Sequence, residues 1–297
     1  MDRLAGILGL YHPRGIWHQR WPHWGLDARW CRVNLDVAWA PTHVEIIAPY
    51  GSPDDRLSHP HMQAIHDNQS DRWYRTHATP VAIHDMTAMT ERLRRSGVRF
   101  RVDAPAGEFG FERIWLGRDA VEPGVYDADA DGGLFLEFVP ASAFGFPVPG
   151  PDHVPRPVSA EHPVVRVTRR TMIVADVDRS LKQLEAATGW VPDGPVETRD
   201  GVRRARLGFA HPRSAALELA QPLDATSTVG AYAAAWGPGP YGIAVEVESL
   251  DETVERLGRL EIAYRCTDGD GGVDVLADHT QTLGVQLEFQ VRGPGTA

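Results

Sequence analysis

The sequence predicts an α+β protein made of four copies of one unit, each with the element order β-α-β-β-β. Three observations predict this fold. Four strand-like runs each carry a glutamate between apolar neighbours near their end, at Glu45, Glu137, Glu218 and Glu288. The order strand, helix and three strands recurs along the chain, and a proline-rich stretch divides the chain in two. Since internal repetition constrains a fold more than any single element does, the repeat decides the class.

The chain of 297 residues is long enough for two ordinary domains. Prolines crowd the stretch from Phe146 to Pro163, and this density excludes a helix or a central strand. We therefore expect an N-terminal domain at 1–147, a linker at 148–163 and a C-terminal domain at 164–292.

The first unit is the irregular one. Leu4–Leu10 resembles the end of the unit's helix, and strand-like segments lead on to Glu45. Nothing in the sequence supplies the strand that opens the other units. Either the native start lies upstream of Met1 or another segment fills the gap.

The second unit begins with the alternating residues Thr79, Val81 and Ile83, which predict a strand. A helix follows from Asp85 to the stop at Ser96-Gly97, since Asp is a good N-cap and Gly a good C-terminal stop. Three further strands are predicted near 98–102, 111–116 and 134–139. We interpret the Asp-rich segment at 127–132 between them as a turn.

The third unit opens with a β-branched strand at 164–174, and its helix runs from Asp176 to Gly189. Strands at 196–198, 202–209 and 214–220 complete it. The fourth unit repeats the order with a strand at 241–247, a helix at 250–260 and shorter strands near Ala263, Val273 and Val285.

Composition narrows the classes of function. The net charge is −10 and there is no Lys/Arg run, so we expect no nucleic-acid partner. There is no apolar run long enough to span a bilayer and no secretory signal at the start, so we expect no membrane partner and a cytoplasmic protein. Cys31 and Cys266 lie too far apart in sequence to suggest a disulfide framework or a zinc site.

These elements resemble the vicinal oxygen chelate superfamily, which includes glyoxalases, bleomycin-resistance proteins and extradiol dioxygenases. The resemblance rests on Val174–Ser180 with Thr188-Gly189-Trp190, on 85–98, and on the four glutamate-bearing strands. It implies that units pair into two open eight-stranded cups, with the first unit lacking its first strand.

The resemblance also implies a divalent metal (Fe, Mn, Ni, Co or Zn) held by a first-strand histidine and last-strand glutamates. In the N-terminal cup this assigns metal ligation to Glu45, Glu137 and a histidine, with His77 first and His43 second. His77 lies one residue from Ala78, the position that corresponds to the ligand. Glu137 and His77 are then the catalytic residues, and the metal stabilises an enolate or similar anion.

The same positions in the C-terminal cup hold Arg169 and Gly242, neither of which ligates a metal. We therefore expect a degenerate second cup formed by Arg169, Glu218, Gly242 and Glu288, with a structural role. Nearby arginines, including Arg169 and Arg170, could pair with the glutamates without any ion.

The N-terminal half is also rich in residues that suit a ligand pocket. Nine of the thirteen histidines precede residue 85, and five tryptophans lie in the first forty residues. We assign Trp17, Trp30, Trp39 and His61 to a substrate pocket, since aromatic walls suit an aromatic ligand. The alternative is that the tryptophans pack the core and the histidines lie in surface loops.

Two functions are open on this sequence. The first is a metal-assisted lyase, isomerase or dioxygenase that acts on a small oxygen-rich organic substrate in the N-terminal cup. The alternative is a non-catalytic protein that binds or sequesters an aromatic or hydrophobic small molecule. Association into a homodimer stays open.

Overall fold

The computed structural model of the chain describes residues 2–10, 16–21, 26–32, 43–49, 79–105, 110–119, 121, 126–144, 163–209, 214–269, 272–282 and 284–291. Over 16–49 the description is of the backbone. The helices are α1 Asp2–Leu8, α2 Met86–Ser96, α3 Val177–Thr188, α4 Thr228–Trp236 and α5 Leu250–Arg259. The strands of the N-terminal half are β1 Ile16–Trp21, β2 Leu26–Arg32, β3 His43–Pro49, β4 Thr79–Ile83, β5 Phe100–Asp103, β6 Arg113–Leu116 and β7 Leu136–Pro140. Those of the C-terminal half are β8 Val164–Ile173, β9 Glu197–Arg199, β10 Val202–Leu207, β11 Ala216–Pro222, β12 Gly239–Val247, β13 Tyr264–Gly269, β14 Gly272–Ala277 and β15 Gln286–Gln290.

The C-terminal half forms one eight-stranded sheet in the order β13-β14-β15-β12-β8-β11-β10-β9. In each unit the last strand pairs parallel with the first, as β11 with β8 and β15 with β12. Antiparallel pairing of β8 with β12 joins the two units into one sheet. The predicted eight-stranded arrangement is thus confirmed for this half.

The second unit repeats this order in a four-stranded sheet, β4-β7-β6-β5. The first unit supplies α1 and then a separate three-stranded antiparallel sheet, β1-β2-β3. Among the described residues no strand joins these two sheets. The fold class, an α+β protein of four related units, is therefore confirmed, and the domain boundaries at 147 and 164 stay a prediction.

Local sequence explains where the helices begin and end. Asp85 caps α2 by accepting the Ala88 N–H at 2.8 Å, and Asp176 caps α3 in the same way through Arg179 N–H at 3.0 Å. Gly97 ends α2 in the left-handed region at φ 70°, where a residue with a Cβ is strained. These are the caps that the sequence predicted.

Two apolar cores lie on the helix side of the sheets, and each joins the N-terminal half to the C-terminal half. The first core packs α1 of the first unit against α5 and the sheet of the fourth unit. The second core packs α2 and the second unit's sheet against α3 and the third unit's sheet. The halves are thus connected crosswise, first unit with fourth and second with third.

One arginine reinforces the first of these contacts. Arg256, buried on α5, donates from Nε to the carbonyl of Ile7 at 3.0 Å, near the C-terminal end of α1. A cation at this end of a helix satisfies a free carbonyl and matches the helix dipole. Gly9 ends α1 at φ 72°, and a Cβ there would lie 3.2 Å from the Arg256 Cζ. The guanidinium therefore packs on the glycine.

An arginine also reinforces the contact between the second and third units. Arg92 on α2 donates from Nη2 to the carbonyl of Glu185 at 3.0 Å, near the end of α3. A Cβ at Gly189, where φ is 80°, would lie 2.7 Å from the same nitrogen. Arg92 and Arg256 occupy the same position relative to the N-cap of their helices. We call the two contacts the arginine clasps.

Helix α4 is an element that the sequence reading missed. It lies between the third and fourth units and is capped by Ser227, whose hydroxyl accepts the Gly230 N–H at 2.9 Å. Its alanine run and serine cap are the signals that could have found it. No helix among the described residues has the length and apolar character needed to cross a membrane.

Candidate functional site

The N-terminal candidate site centres on Glu137 in β7. The register sets Glu137 opposite Trp115 of β6 and opposite Pro80 of β4. Its chain neighbours Leu136 and Phe138 are buried in the core that joins the second and third units. Because side chains alternate along a strand, Glu137 lies on the other face of the sheet, away from the helices.

On that face, three donors converge on Asp103. Arg101 Nε lies 2.7 Å from Oδ1, and Trp115 Nε1 lies 2.8 Å and Arg113 Nη2 3.4 Å from Oδ2. Arg113 also reaches Glu137, with 3.5 Å between Nη1 and Oε1. The guanidinium is thus shared between two carboxylates. We call Arg101, Asp103, Arg113, Trp115 and Glu137 the N-terminal cluster.

Burial makes the Glu137 carboxyl a weaker acid than an ordinary glutamate. The pKa of Glu137 is raised to about 7, mainly by its removal from water; the charge and hydrogen bond of Arg113 lower it, and the negative charge of Asp103 raises it. Burial wins because the contact with Arg113 is long and shared. A carboxyl that titrates near neutral pH can both accept and release a proton under physiological conditions.

A buried aspartate fixes the turn that leads into β7. Asp131 accepts the backbone N–H groups of Gly133, Leu134 and Leu136 at 3.0, 3.2 and 2.9 Å, and the Tyr126 hydroxyl at 2.5 Å. Burial raises its pKa to about 6, and these hydrogen bonds hold it from rising further. The predicted turn before β7 is observed, and Asp131 anchors it.

The corresponding glutamate of the third unit, Glu218 in β11, has more partners. It accepts from the Thr171 hydroxyl at 3.0 Å and from Arg204 Nη1 at 2.7 Å. Arg169 Nε lies 3.6 Å from the same oxygen. The carboxylate is therefore held by a hydroxyl and two guanidinium groups.

Glu288 of the fourth unit is bound by the same arginine. Arg169 Nη2 lies 2.6 and 2.7 Å from the two carboxylate oxygens of Glu288. Both residues are register partners of Ala244 in β12, so the ion pair crosses over the join between the two units. We call Arg169, Thr171, Arg204, Glu218 and Glu288 the C-terminal cluster.

Register shows which residues of the two clusters correspond. Arg113 and Arg204 stand at the same position relative to the strand that carries the glutamate. Opposite the glutamate, on the parallel first strand, the second unit has Pro80 and the third has Thr171. The shared feature is thus one arginine–glutamate pair, and the third unit adds a hydroxyl and a second arginine.

The C-terminal cluster does not fit a metal ion. Arg169 lies on the first strand two residues before the partner of Glu218, where the resemblance places a ligand, and a guanidinium offers donors only. The matching position in the fourth unit is Gly242, where a Cβ would lie 2.9 Å from the Gln286 carbonyl oxygen. No liganding side chain is accommodated there without a backbone shift.

The other predicted residues of the N-terminal half are placed only in part. His43 and Glu45 lie on β3, and the register aligns Trp17, Trp30 and Glu45 in one row across β1-β2-β3. Three predicted residues lie outside the described part of the chain: His61, His77 and Trp39. Within the part described with side chains, no group of three His, Cys, Asp or Glu could hold an ion. Metal ligation by Glu45, Glu137 and His77 or His43 stays a prediction.

Sequence reasoning named Arg169 as a possible partner of the glutamates but missed Arg113 and Arg204. Arg113 alternates with the buried Ile114, and Arg204 alternates with the buried Ala205. A charged residue at every second position of a strand whose other residues are apolar indicates a polar face. That signal was available, and Asp103 at the end of β5 is part of the same pattern.

Aromatic residues close one end of the C-terminal sheet's polar face. Tyr232 of α4 meets Tyr241 of β12 edge to face, with 5.0 Å between ring centroids. Both pack with Ile173, Val202 and Ala220 from β8, β10 and β11. Burial raises the pKa of Tyr241 to about 12. This end of the face is thus apolar and filled.

Comparison with known proteins finds a family match within the C-terminal half. Residues 171–281 match the family model described as Glyoxalase/Bleomycin resistance protein/Dioxygenase superfamily. The resemblance drawn from the sequence is confirmed for this segment. No curated protein matches the chain.

Several solved structures are similar to part of the chain. Methylmalonyl-CoA epimerase from Mycobacterium tuberculosis is 22% identical, with 48% of this chain and 95% of that chain covered and a TM-score of 0.39. A Streptomyces coelicolor methylmalonyl-CoA epimerase in complex with 2-nitronate-propionyl-CoA is 20% identical, with 45% and 97% covered and a TM-score of 0.39. A hypothetical protein from Bacillus halodurans C-125 is 19% identical, with 43% and 95% covered and a TM-score of 0.38. Likeness at this level carries no inference about substrate or reaction.

Proposed function

We propose, from the premise that residues 171–281 belong to the Glyoxalase/Bleomycin resistance protein/Dioxygenase superfamily, that this protein is an enzyme whose reactive site lies in the N-terminal half. Its substrate is a small oxygen-rich organic molecule, and the reaction is of the lyase, isomerase or dioxygenase class. The observation that carries the proposal is Glu137, a buried carboxyl whose pKa is raised to about 7. Perturbed acidity of this kind is typical of catalytic acids and bases.

Glu137 is the proton-handling residue in this proposal. Above its pKa the carboxylate takes a proton from a carbon next to a substrate carbonyl group, and the protonated acid later returns it. Arg113, which contacts both Glu137 and Asp103, fixes the carboxylate and compensates part of its charge. Trp115, opposite Glu137 in the register, forms part of the wall that keeps water away.

The donor chemistry of the N-terminal half fits a divalent metal, unlike that of the C-terminal cluster. Glu137 offers a carboxylate whose contact with Arg113 is long at 3.5 Å, and Pro80 opposite adds no competing donor. We propose Glu45, Glu137 and either His77 or His43 as the residues that would hold the ion. When bound, the metal would supply Lewis-acid polarisation of the substrate's oxygen atoms.

The proposal is tested by hydrogen–deuterium exchange at carbon. A panel of small 2-oxo acids, 2-hydroxy acids and thioesters is incubated with the protein in D₂O and followed by proton NMR. The wild type should exchange the C–H proton of at least one compound, with a rate that rises through pH 7. E137Q should lower the rate by about 100-fold or more.

E218Q is the matched control, because it makes the same change at the corresponding register position of the third unit. It should keep the exchange activity. Exchange by E137Q at the wild-type rate would contradict the assignment. Elemental analysis of untagged protein after reconstitution with Fe, Mn, Ni, Co and Zn tests the metal separately, and a metal content that stays near zero argues against it.

A non-catalytic binding protein is the second candidate. The backbone register that aligns Trp17 with Trp30 favours it, since neighbouring aromatic residues suit capture of an aromatic compound. Tryptophan fluorescence titrated with an aromatic compound panel separates the two proposals. Tight quenching without any turnover or exchange would favour the binding protein.

A further inference from the structure

We infer that Arg169 is a built-in cation that takes the place of a metal ion in the C-terminal cluster. It binds the glutamates of two different units, with Nη2 2.6 and 2.7 Å from Glu288 and Nε 3.6 Å from Glu218. One positively charged group thus bridges the two last-strand carboxylates. This inference concerns the C-terminal half alone and does not rest on the proposed function.

The backbone fixes the arginine where the bridge requires it. Arg169 and Glu288 flank Ala244, whose methyl group is the smallest side chain short of glycine. Thr171, two residues along the same strand, donates to Glu218 and so orients the second carboxylate. The planar guanidinium presents donors in a fixed fork and suits a carboxylate on each side.

Charge balance also excludes a divalent ion. Glu218 and Glu288 carry two negative charges, and Arg169 and Arg204 supply two positive charges in direct contact. These side chains are largely buried, apart from Arg204, which is about a third exposed. A divalent cation at the same place would lie against guanidinium groups in a poorly solvated site, where repulsion is strong.

Histidine in place of Arg169 should therefore convert the cluster into a metal site. It would remove the blocking charge and provide an imidazole nitrogen on the strand that faces Glu218 and Glu288. One histidine with two carboxylates is a donor set that binds first-row divalent metals. The sequence would need one substitution, because both carboxylates are already positioned.

The experiment compares Co²⁺ binding by the wild type and R169H. Each protein, without a histidine tag, is dialysed against Co²⁺ and analysed by elemental analysis and visible absorption. R169H should bind about one more Co²⁺ per chain than the wild type. The double variant R169H/E288Q should lose the gain. R170H is the matched control, since Arg170 pairs in register with Leu217 and Ile243 of the cores, and it should show no gain.

Measurements on an intact Arg169 keep the inference testable if R169H does not fold. E288Q in the otherwise unchanged protein should leave the Co²⁺ content the same, because the cluster holds no metal when the arginine is present. A Co²⁺ content that falls in E288Q would overturn the inference. So would a folded R169H, judged by circular dichroism, that gains no Co²⁺. Metal bound in the N-terminal half contributes equally to every protein compared and cancels.

Discussion

Glu137 and Glu218 occupy the same position in the second and third units, yet they are held very differently. Glu137 has one long contact with a shared arginine and faces Pro80, and its pKa is raised to about 7. Glu218 has Thr171, Arg204 and Arg169 around it. The difference arises on the first strand of each unit, where the third unit supplies polar partners.

The comparison teaches that one repeated scaffold can leave a carboxyl with a single long contact in one copy and pair it with two arginines in another. A glutamate at the end of the last strand is common to both. The two copies differ on the first strand of the unit. The residue opposite the glutamate is Pro80 in the second unit and Thr171 in the third, and Arg169 lies two residues before Thr171. Because the cost of a buried carboxylate depends on its partners, a few residues determine how far its pKa is raised.

Removing the bridging arginine should have the largest effect on stability. R169M leaves Glu218 with less compensation and Glu288 without its arginine, so the free energy of unfolding should fall by about 3 kcal/mol. R204M, which removes a more exposed partner of Glu218 alone, should cost about 1 kcal/mol. Urea denaturation at pH 7 measures both. Equal losses would contradict the central role given to Arg169.

Neutralising the two corresponding glutamates should change stability in opposite directions. The folded-state pKa of Glu137, about 7, lies above its ordinary value of 4.5, so its contribution to stability declines as pH rises between these values. E137Q should remove that decline and raise the free energy of unfolding at pH 8 by about 1–3 kcal/mol. E218Q should instead lower it by about 1–3 kcal/mol, because Arg169 and Arg204 lose an acceptor.

Urea denaturation from pH 5 to pH 8 tests this pair of variants. Parallel pH profiles for the wild type and E137Q would show that Glu137 does not titrate in this range in the folded protein. Destabilisation by E137Q at pH 8 would show that the contact with Arg113 outweighs the cost of burial.

A smaller effect is expected at Asp103. Its negative charge raises the pKa of Glu137, and it also competes for Arg113. D103N should therefore lower the pKa of Glu137, by less than about one unit. Carbon-13 NMR of the labelled glutamate carboxyl group, assigned by comparison with E137Q, measures the shift. A raised pKa would show that Asp103 acts mainly by positioning Arg113.

Much of this fold is predictable from the sequence because its signals are local. Asp85, Asp176 and Ser249 cap helices, and alternating apolar residues mark strands. The family resemblance, counted back from the helix cap Asp176, puts Arg169 at the position that corresponds to a metal ligand. These features depend on residues close together in the chain, where pattern and structure correspond directly.

The candidate site was harder to predict because its contacts are not local. Arg113 and Glu137 come from different strands, and Arg169 meets Glu288 only after β8, β12 and β15 have paired. The raised pKa of Glu137 depends on how much of the site is buried, which no single residue encodes. Helix α4 was missed because its sequence, which is rich in alanine, has no amphipathic period.

The arginine clasps and crosswise cores make the two halves dependent on each other. Ile7 and Leu8 of α1 and Leu10 just after it are fully or almost fully buried, and each contributes about 2 kcal/mol through its burial against the fourth unit. A fragment beginning at 164 would lack these residues. The apolar surface of the fourth unit that they cover would be exposed to solvent, and the fragment would tend to aggregate. A protease cut anywhere in 148–163 should instead give two pieces that still co-elute, as a nicked but intact particle.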